Sequence, residues 1–304
     1  MPPIQPCLTS MPWHISDRIL DELDLKAKIR LGKTCPILHS IVKQSRIPDI
    51  SIRISFFESQ ILIEYRENDR ECGGARYNNA ASAITDLKFF FSNPKVHIRQ
   101  FVVHFDSEER FLSTTLFQEI RNLLSHQNHQ LSVSLLWFLW PVSLEEIMSI
   151  LPYVTPGVLK SISINFPNPM DNWKVAANTE QWKNTSYLRF RNVNLPISFF
   201  VHSPRADFEC KSVSLKELKQ VLQAASNFPN HEVYSFNIFA SSLHPAIFPY
   251  LNRYKPRYEK WNRSEDRPVY YYMGIPGTDY KLEVKHKETH LLLRKVKRGV
   301  RLNL

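Results

Sequence analysis

His126 and His129 are the first place where this chain could do chemistry, since side chains three apart share a helix face and can close on one ion. The second is Cys72-Gly73-Gly74, a thiol next to two residues without side chains to cover it. Neither carries a reaction forward. No third ligand stands at metal spacing from the histidine pair, and none of the other histidines, His14, His39, His97, His104, His202, His231, His244, His286 and His290, forms H-E-x-x-H. The pair therefore reads as satisfied or solvent-exposed imidazoles. No base is placed by sequence beside Cys72, and there is no G-x-S-x-G elbow, no phosphate loop of the G-x-x-x-x-G-K type and no dinucleotide fingerprint. The expectation is a chain without catalytic residues, metal or cofactor. Cys7, Cys35, Cys72 and Cys210 are scattered with no C-x-x-C pair, so reduced structural thiols are expected.

Charge and hydropathy narrow the class further. The formal charge of +10 invites a nucleic-acid reading, but the positives are dispersed: Lys26, Lys28, Arg30 and Lys33, then a group between Arg253 and Arg267, then Lys295, Lys297, Arg298 and Arg301. Solvated faces and a basic tail are expected, with nucleic acid bound only through weak, salt-sensitive association. The longest apolar stretch, Leu131 to Val142, is too short to span a membrane and contains Pro141, and the start MPPIQPCLTS has no basic and apolar signal pattern. A cytoplasmic or nuclear protein with no membrane partner is expected. On that reading Asn184-Thr185-Ser186 and Asn262-Arg263-Ser264 are chance matches to a glycosylation triplet.

Most of the chain alternates strand and helix signals. Ile50, Ile52, Ile54 and Phe56 alternate, as do Ile61, Ile63 and Tyr65, which predicts a β-hairpin with Glu58-Ser59-Gln60 between them. A polar loop holding Gly73-Gly74 is expected next, then a helix over 80–91 stopped by Pro94. Strand-like runs recur at 96–105, 131–138, 158–166, 186–193 and 232–239, separated by helix-like runs at 111–124, 143–151, 179–183 and 215–228. Ser143 with Glu146 and Ser214 with Glu217 have the spacing of capping boxes. Such an interval fits stacked strand-and-helix units with parallel strands. Residues 269–296 read as short strands around Pro276-Gly277 and Lys287-Glu288-Thr289, a β-meander closing the stack.

The front differs. Ile15, Ile19, Leu20 and Leu23 fall at helical spacing, with Ser16, Asp17, Asp21 and Glu22 assigned to the opposite face. Asp24 is placed to cap a second helix carrying Leu25, Ile29 and Leu31, which Gly32 weakens at its end. Pro36 suits the first turn of a third helix bearing Ile37, Leu38, Ile41 and Val42. Three helices this short bury little alone, so a partner or a neighbouring domain is expected to cover their apolar side.

This front unit, from Met11-Pro12 through Ile15, Ile19-Leu20, Leu23, Leu25, Ile29, Leu31, Cys35 and Leu38 to Ile41-Val42, resembles the F-box, with Met11 where leucine is usual and with Gly32 and Pro36 atypical. The hairpin, FFFSNPK, TEQWKNTSYLRF, SVSLKELKQVL and the closing YYYMGIPGTDYKLEV and HLLLRKV segments look like the F-box-associated FTH domain of the nematode F-box family. The resemblance implies an α/β chain: a three-helix F-box at 8–48, then an FTH-type, leucine-rich-repeat-like βα solenoid with a C-terminal β-meander at 49–304. It implies no catalytic residues. It also implies a substrate-recognition subunit of an SCF-type ubiquitin ligase, docking through Met11, Pro12, Ile15, Ile19, Leu20, Leu23, Leu25, Ile29, Leu31, Cys35 and Leu38 on a Skp-type adaptor and through it a cullin scaffold. The substrate would be an unidentified protein bound by the solenoid; Trp182, Arg189, Phe190 and Arg191 carry hot-spot residue types there, although core or ordinary surface is the plainer reading of each. The alternatives are a non-catalytic interaction scaffold that assembles no ligase, and a weak nucleic-acid binder acting through the basic tail.

Overall fold

The computed structural model describes residues 8–45, 47, 49–57, 59–67, 70–105, 111–139, 142–165, 173–191, 195–228, 234–254, 257–258, 269–275, 278–287 and 290–297. Cys7, Pro141, His231, Asn262-Arg263-Ser264, Pro276-Gly277, Glu288-Thr289, Arg298, Arg301 and most of the group from Arg253 to Arg267 lie outside the described residues. The chain is mixed α/β and divides into two compact units, Met1–Leu159 and Lys160–Leu304. The front helices lie inside the first unit. This division follows compactness, whereas the boundary expected after residue 48 follows a sequence motif.

The first unit begins with α1 (Trp13–Asp21), α2 (Leu25–Gly32) and α3 (Pro36–Gln44). The Asp24 carboxylate accepts from the Ala27 amide at 2.7 Å and so caps α2, while Pro36 opens α3, where its missing N–H costs nothing. β1 (Ile50–Phe57) and β2 (Gln60–Glu67) form the expected antiparallel hairpin. The segment around Gly73-Gly74 is a strand, not the expected loop: β3 (Arg70–Tyr77) pairs antiparallel with β2. Its polar, glycine-containing sequence suits an edge, and a Cβ at Gly74 would stand 2.9 Å from the Ile63 carbonyl oxygen, so the register itself requires glycine there. α4 (Ala80–Phe91) matches its expected span, and β4 (His97–Phe105), α5 (Phe111–Ser125), β5 (Ser132–Leu139) and the short α6 (Leu144–Met148) follow. Strand order is β5-β4-β1-β2-β3, with β1, β4 and β5 parallel. The rings of Phe56, Phe105 and Phe117 meet in the core and pack α5 against β1 and β4.

In the second unit β6 (Ser161–Asn165), the one-turn helices α7 (Lys174–Ala177) and α8 (Glu180–Lys183), and β7 (Tyr187–Arg191) come first. β8 (Arg205–Val213), α9 (Leu215–Ser226), β9 (Ser235–Leu243) and α10 (Ile247–Asn252) come next. β6 to β9 are neighbours in chain order and parallel, the arrangement that successive βα units produce. α7, β8 and α10 are additions to the sequence reading. β8 escaped it because Arg205, Asp207, Glu209 and Lys211 alternate with Ala206, Phe208 and Cys210, and four charges in seven residues hide the buried row. β10 (Arg257–Tyr258), β11 (Val269–Gly274), β12 (Tyr280–Lys287) and β13 (His290–Lys297) form an antiparallel meander that joins the parallel ladder through β13 on β9. Trp173, Trp182, Phe190, Phe200, Phe208 and Phe236 fill the core beneath the parallel strands.

Candidate functional site

The helical unit at the front is fixed to α4 at close range. Gly32, the last residue of α2, is buried, and a Cβ there would lie 3.1 Å from the Phe89 ring, so the atypical glycine is the residue that lets α2 approach α4. His39 meets Phe89 edge-on at 5.6 Å, Lys33 pairs with Asp86 at 2.7 Å, and the Lys95 ammonium donates to the Gln44 carbonyl at 2.8 Å. Asp86 also accepts from the Tyr77 hydroxyl, an interaction that, after burial, raises the tyrosine pKa above its ordinary value.

What this anchoring leaves outside decides the site. The seam of α1 is Ser16 and Leu20, both buried, with the Ser16 hydroxyl donating to the Leu8 carbonyl at 3.2 Å. Ser16 thus lies on the packed side of α1 and not on the polar side that its position in the sequence predicts, so the helix is rotated from the expected orientation. Ile15 and Ile19, one turn apart, are each 38% exposed, beside exposed Pro12 and half-buried Met11 and Leu23. Leu25 is fully buried, and Ile29, Leu31, Cys35 and Leu38 are half-buried. Of the eleven residues singled out in this unit, Leu20 and Leu25 therefore hold the helices together, while Pro12, Ile15 and Ile19 face solvent.

Two further residues, outside the expected docking set, are exposed: Trp13 at 45%, and Ile37 at 59% on the expected apolar side of α3. Among the described residues, four of the nine exposed large apolar side chains lie between Trp13 and Ile37, a density that an ordinary solvated helical unit does not need. The signal for Trp13 was its place at the first turn of α1, where core packing has no claim on it. Basic residues here are not all solvated, since Lys28 is buried.

The positions with possible chemistry are separated. His126 donates to the Asn122 carbonyl at 2.6 Å, whereas His129 donates to the Phe91 carbonyl at 3.0 Å. Among the described residues, no three His, Cys, Asp or Glu side chains are grouped to hold a metal. Cys72 Sγ accepts from the Glu67 amide at 3.1 Å and lies 3.3 Å from the Arg70 carbonyl, and burial raises its pKa, so the thiol is not activated. A cleft of about 480 Å³ between α5 and α6 is lined by neither His nor Cys. Its serine hydroxyls are occupied: Ser143 completes a capping box with Glu146, and Ser149 donates to the Glu146 carbonyl at 2.6 Å. Among the described residues no helix is long and apolar enough to cross a membrane.

In the second unit, Trp182 and Phe190 belong to the core, while Arg189 and Arg191 lie on the solvent side of β7 and line a depression of about 400 Å³. Lys295, counted with the basic tail, is buried, and its ammonium donates to the Phe228 carbonyl at 3.0 Å.

Fold and site together define a mixed α/β protein that presents exposed apolar side chains on its front helices and, among the described residues, no His, Cys, Asp and Glu cluster of metal-binding size. Residues 114–246 match the family model of the FTH domain, from within α5 to the turn before α10. No curated protein and no solved structure matches the chain.

Proposed function

We propose that the chain is a non-catalytic substrate-recognition subunit of an SCF-type ubiquitin ligase. Residues 8–48 act as an F-box that docks on a Skp-type adaptor and through it on a cullin scaffold, and the region from residue 49, with its FTH match, holds a protein substrate. The observation that carries this reading is the exposure of Ile15 and Ile19, one turn apart on α1, a helix whose Ser16 and Leu20 side is already packed, with Trp13 and Ile37 as further exposed apolar side chains of the same unit. Each such side chain gains roughly 1–2 kcal/mol when a partner removes it from water, enough together to seat a groove on the helices. Leu20 and Leu25 set the helix spacing, and Pro12, Ile15, Ile19 and Ile37 make the contact. Such an assembly places the chain in the cytoplasm or nucleus.

The test is co-purification of the full chain with a Skp-type adaptor. Ile15→Asp with Ile19→Asp, both exposed, should abolish capture while the thermal melt stays within a few degrees of wild type. Equal, negligible capture by wild type and variant ends the reading. Leu20→Asp is unsuitable as a probe because it would break the unit from inside.

A further inference from the structure

On the solvent side of the second unit, an ordered network crosses four strands. The Tyr187 hydroxyl donates to Asp207 Oδ2 at 2.6 Å, Asn237 Nδ2 donates to Asp207 Oδ1 at 3.1 Å, and His290 Nε2 donates to Asn237 Oδ1 at 3.2 Å. The His290 ring lies flat on Phe239, centroids 4.4 Å apart and 3° from parallel, yet Phe239 remains 47% exposed. The network thus holds an aromatic ring rigidly toward water, with its ordering cost met before any partner arrives.

Across the depression stand Arg189 and Arg191, two apart on β7 and so on one side of the sheet. Among the described residues, neither guanidinium makes an ion pair. Phe239 sits two strands away, about 10 Å. Cations at one rim and a fixed aromatic at the other suit a ligand with an anionic and an apolar group at that separation. Asp207 and Glu209 on the floor oppose a continuous phosphate backbone, which favours a peptide with discrete carboxylates over a nucleic acid.

We infer that this face docks an extended segment of a partner protein, a carboxylate side chain resting on Arg189 and Arg191 and an apolar side chain two to three residues away covering Phe239. That the segment belongs to a ligase substrate rests on the proposed function; the peptide chemistry does not.

The probe is a fluorescein-labelled peptide of repeated Glu-Ser-Phe, with Lys-Ser-Phe and Glu-Ser-Ser repeats as controls, titrated with the full chain and read by anisotropy. The acidic aromatic peptide should bind best. Arg191→Glu and Phe239→Ser should each weaken it about tenfold, while Lys174→Glu, an exposed charge reversal elsewhere, leaves it unchanged. No binding, equal binding of the lysine peptide, an equal loss in Lys174→Glu, or a single-stranded oligonucleotide displacing the peptide through the same two side chains overturns the inference. Adaptor capture is scored separately on the same proteins. Its failure in wild type with peptide binding intact counts against the ligase reading alone, and capture without peptide binding counts against the docking face alone.

Discussion

His202 donates to the Trp182 carbonyl at 3.0 Å, and both it and His290 are held below the ordinary imidazole pKa of 6.5, chiefly by burial. The unfolded chain therefore binds these protons more readily than the fold does. Their contribution to stability is complete above about 6.5 and is lost as the pH falls through the lowered folded values. Melting temperature should drop over that window, and His202→Gln, whose amide can still donate to Trp182, should flatten the slope. A second expectation concerns Glu283, fully buried and paired with Arg294. Arg294→Ala should cost about 3 kcal/mol in a denaturant titration, because it strands a buried carboxylate. At the thiols, burial first and then Glu217 push Cys210 up to about 12, and Cys72 is raised as well. Both should resist iodoacetamide at neutral pH until the protein is unfolded. The sequence shows that these groups lack motif partners. It does not show which carbonyl satisfies His126, His129 or His202, because those partners lie up to 38 residues away in the chain.

Local signals and tertiary override can be told apart among the elements. Both capping boxes form at the expected serines, and Ser143→Ala or Ser214→Ala should each cost about 1 kcal/mol of stability. The two glycines of β3 should behave differently. A methyl group at Gly74 meets the Ile63 carbonyl, whereas at Gly73 the nearest heavy atom is Lys26 Cγ at 4.0 Å. Gly74→Ala is expected to lose about 1–3 kcal/mol and Gly73→Ala almost nothing, measured by chemical denaturation. Elements with a periodic apolar row, such as α4 and the β1–β2 hairpin, were legible. β3 and β8 were not, because an edge and a solvent-facing row admit glycine and charge, which read locally as loop. The face of α1 was misread for a related reason. Apolar spacing marks which residues share a side, but not whether this chain or another molecule covers that side.

At the scale of the whole molecule, the FTH match over 114–246 covers β5 of the first unit and the parallel strands β6 to β9 of the second, and leaves the front helices and the closing meander to be judged on their own geometry. The chain then has two faces to be probed separately: apolar on the front helices, and cationic with one fixed aromatic ring on the second unit. The docking residues were only partly legible in the sequence. Arg189 and Arg191 stood out by type, but Asp207, Asn237, Phe239 and His290 come together through strand pairing that spans about a hundred residues. That same pairing bears on synthesis. β9 gains its second hydrogen-bonded neighbour only from β13, so a ribosome that has released β9 must make about fifty more residues before that strand is covered. During the interval the nascent chain displays an open ladder edge, a template for pairing with another copy. Premature stops between β9 and β13 are therefore expected to yield insoluble protein rather than a smaller folded one, readable as the soluble fraction of truncations ending near Lys287.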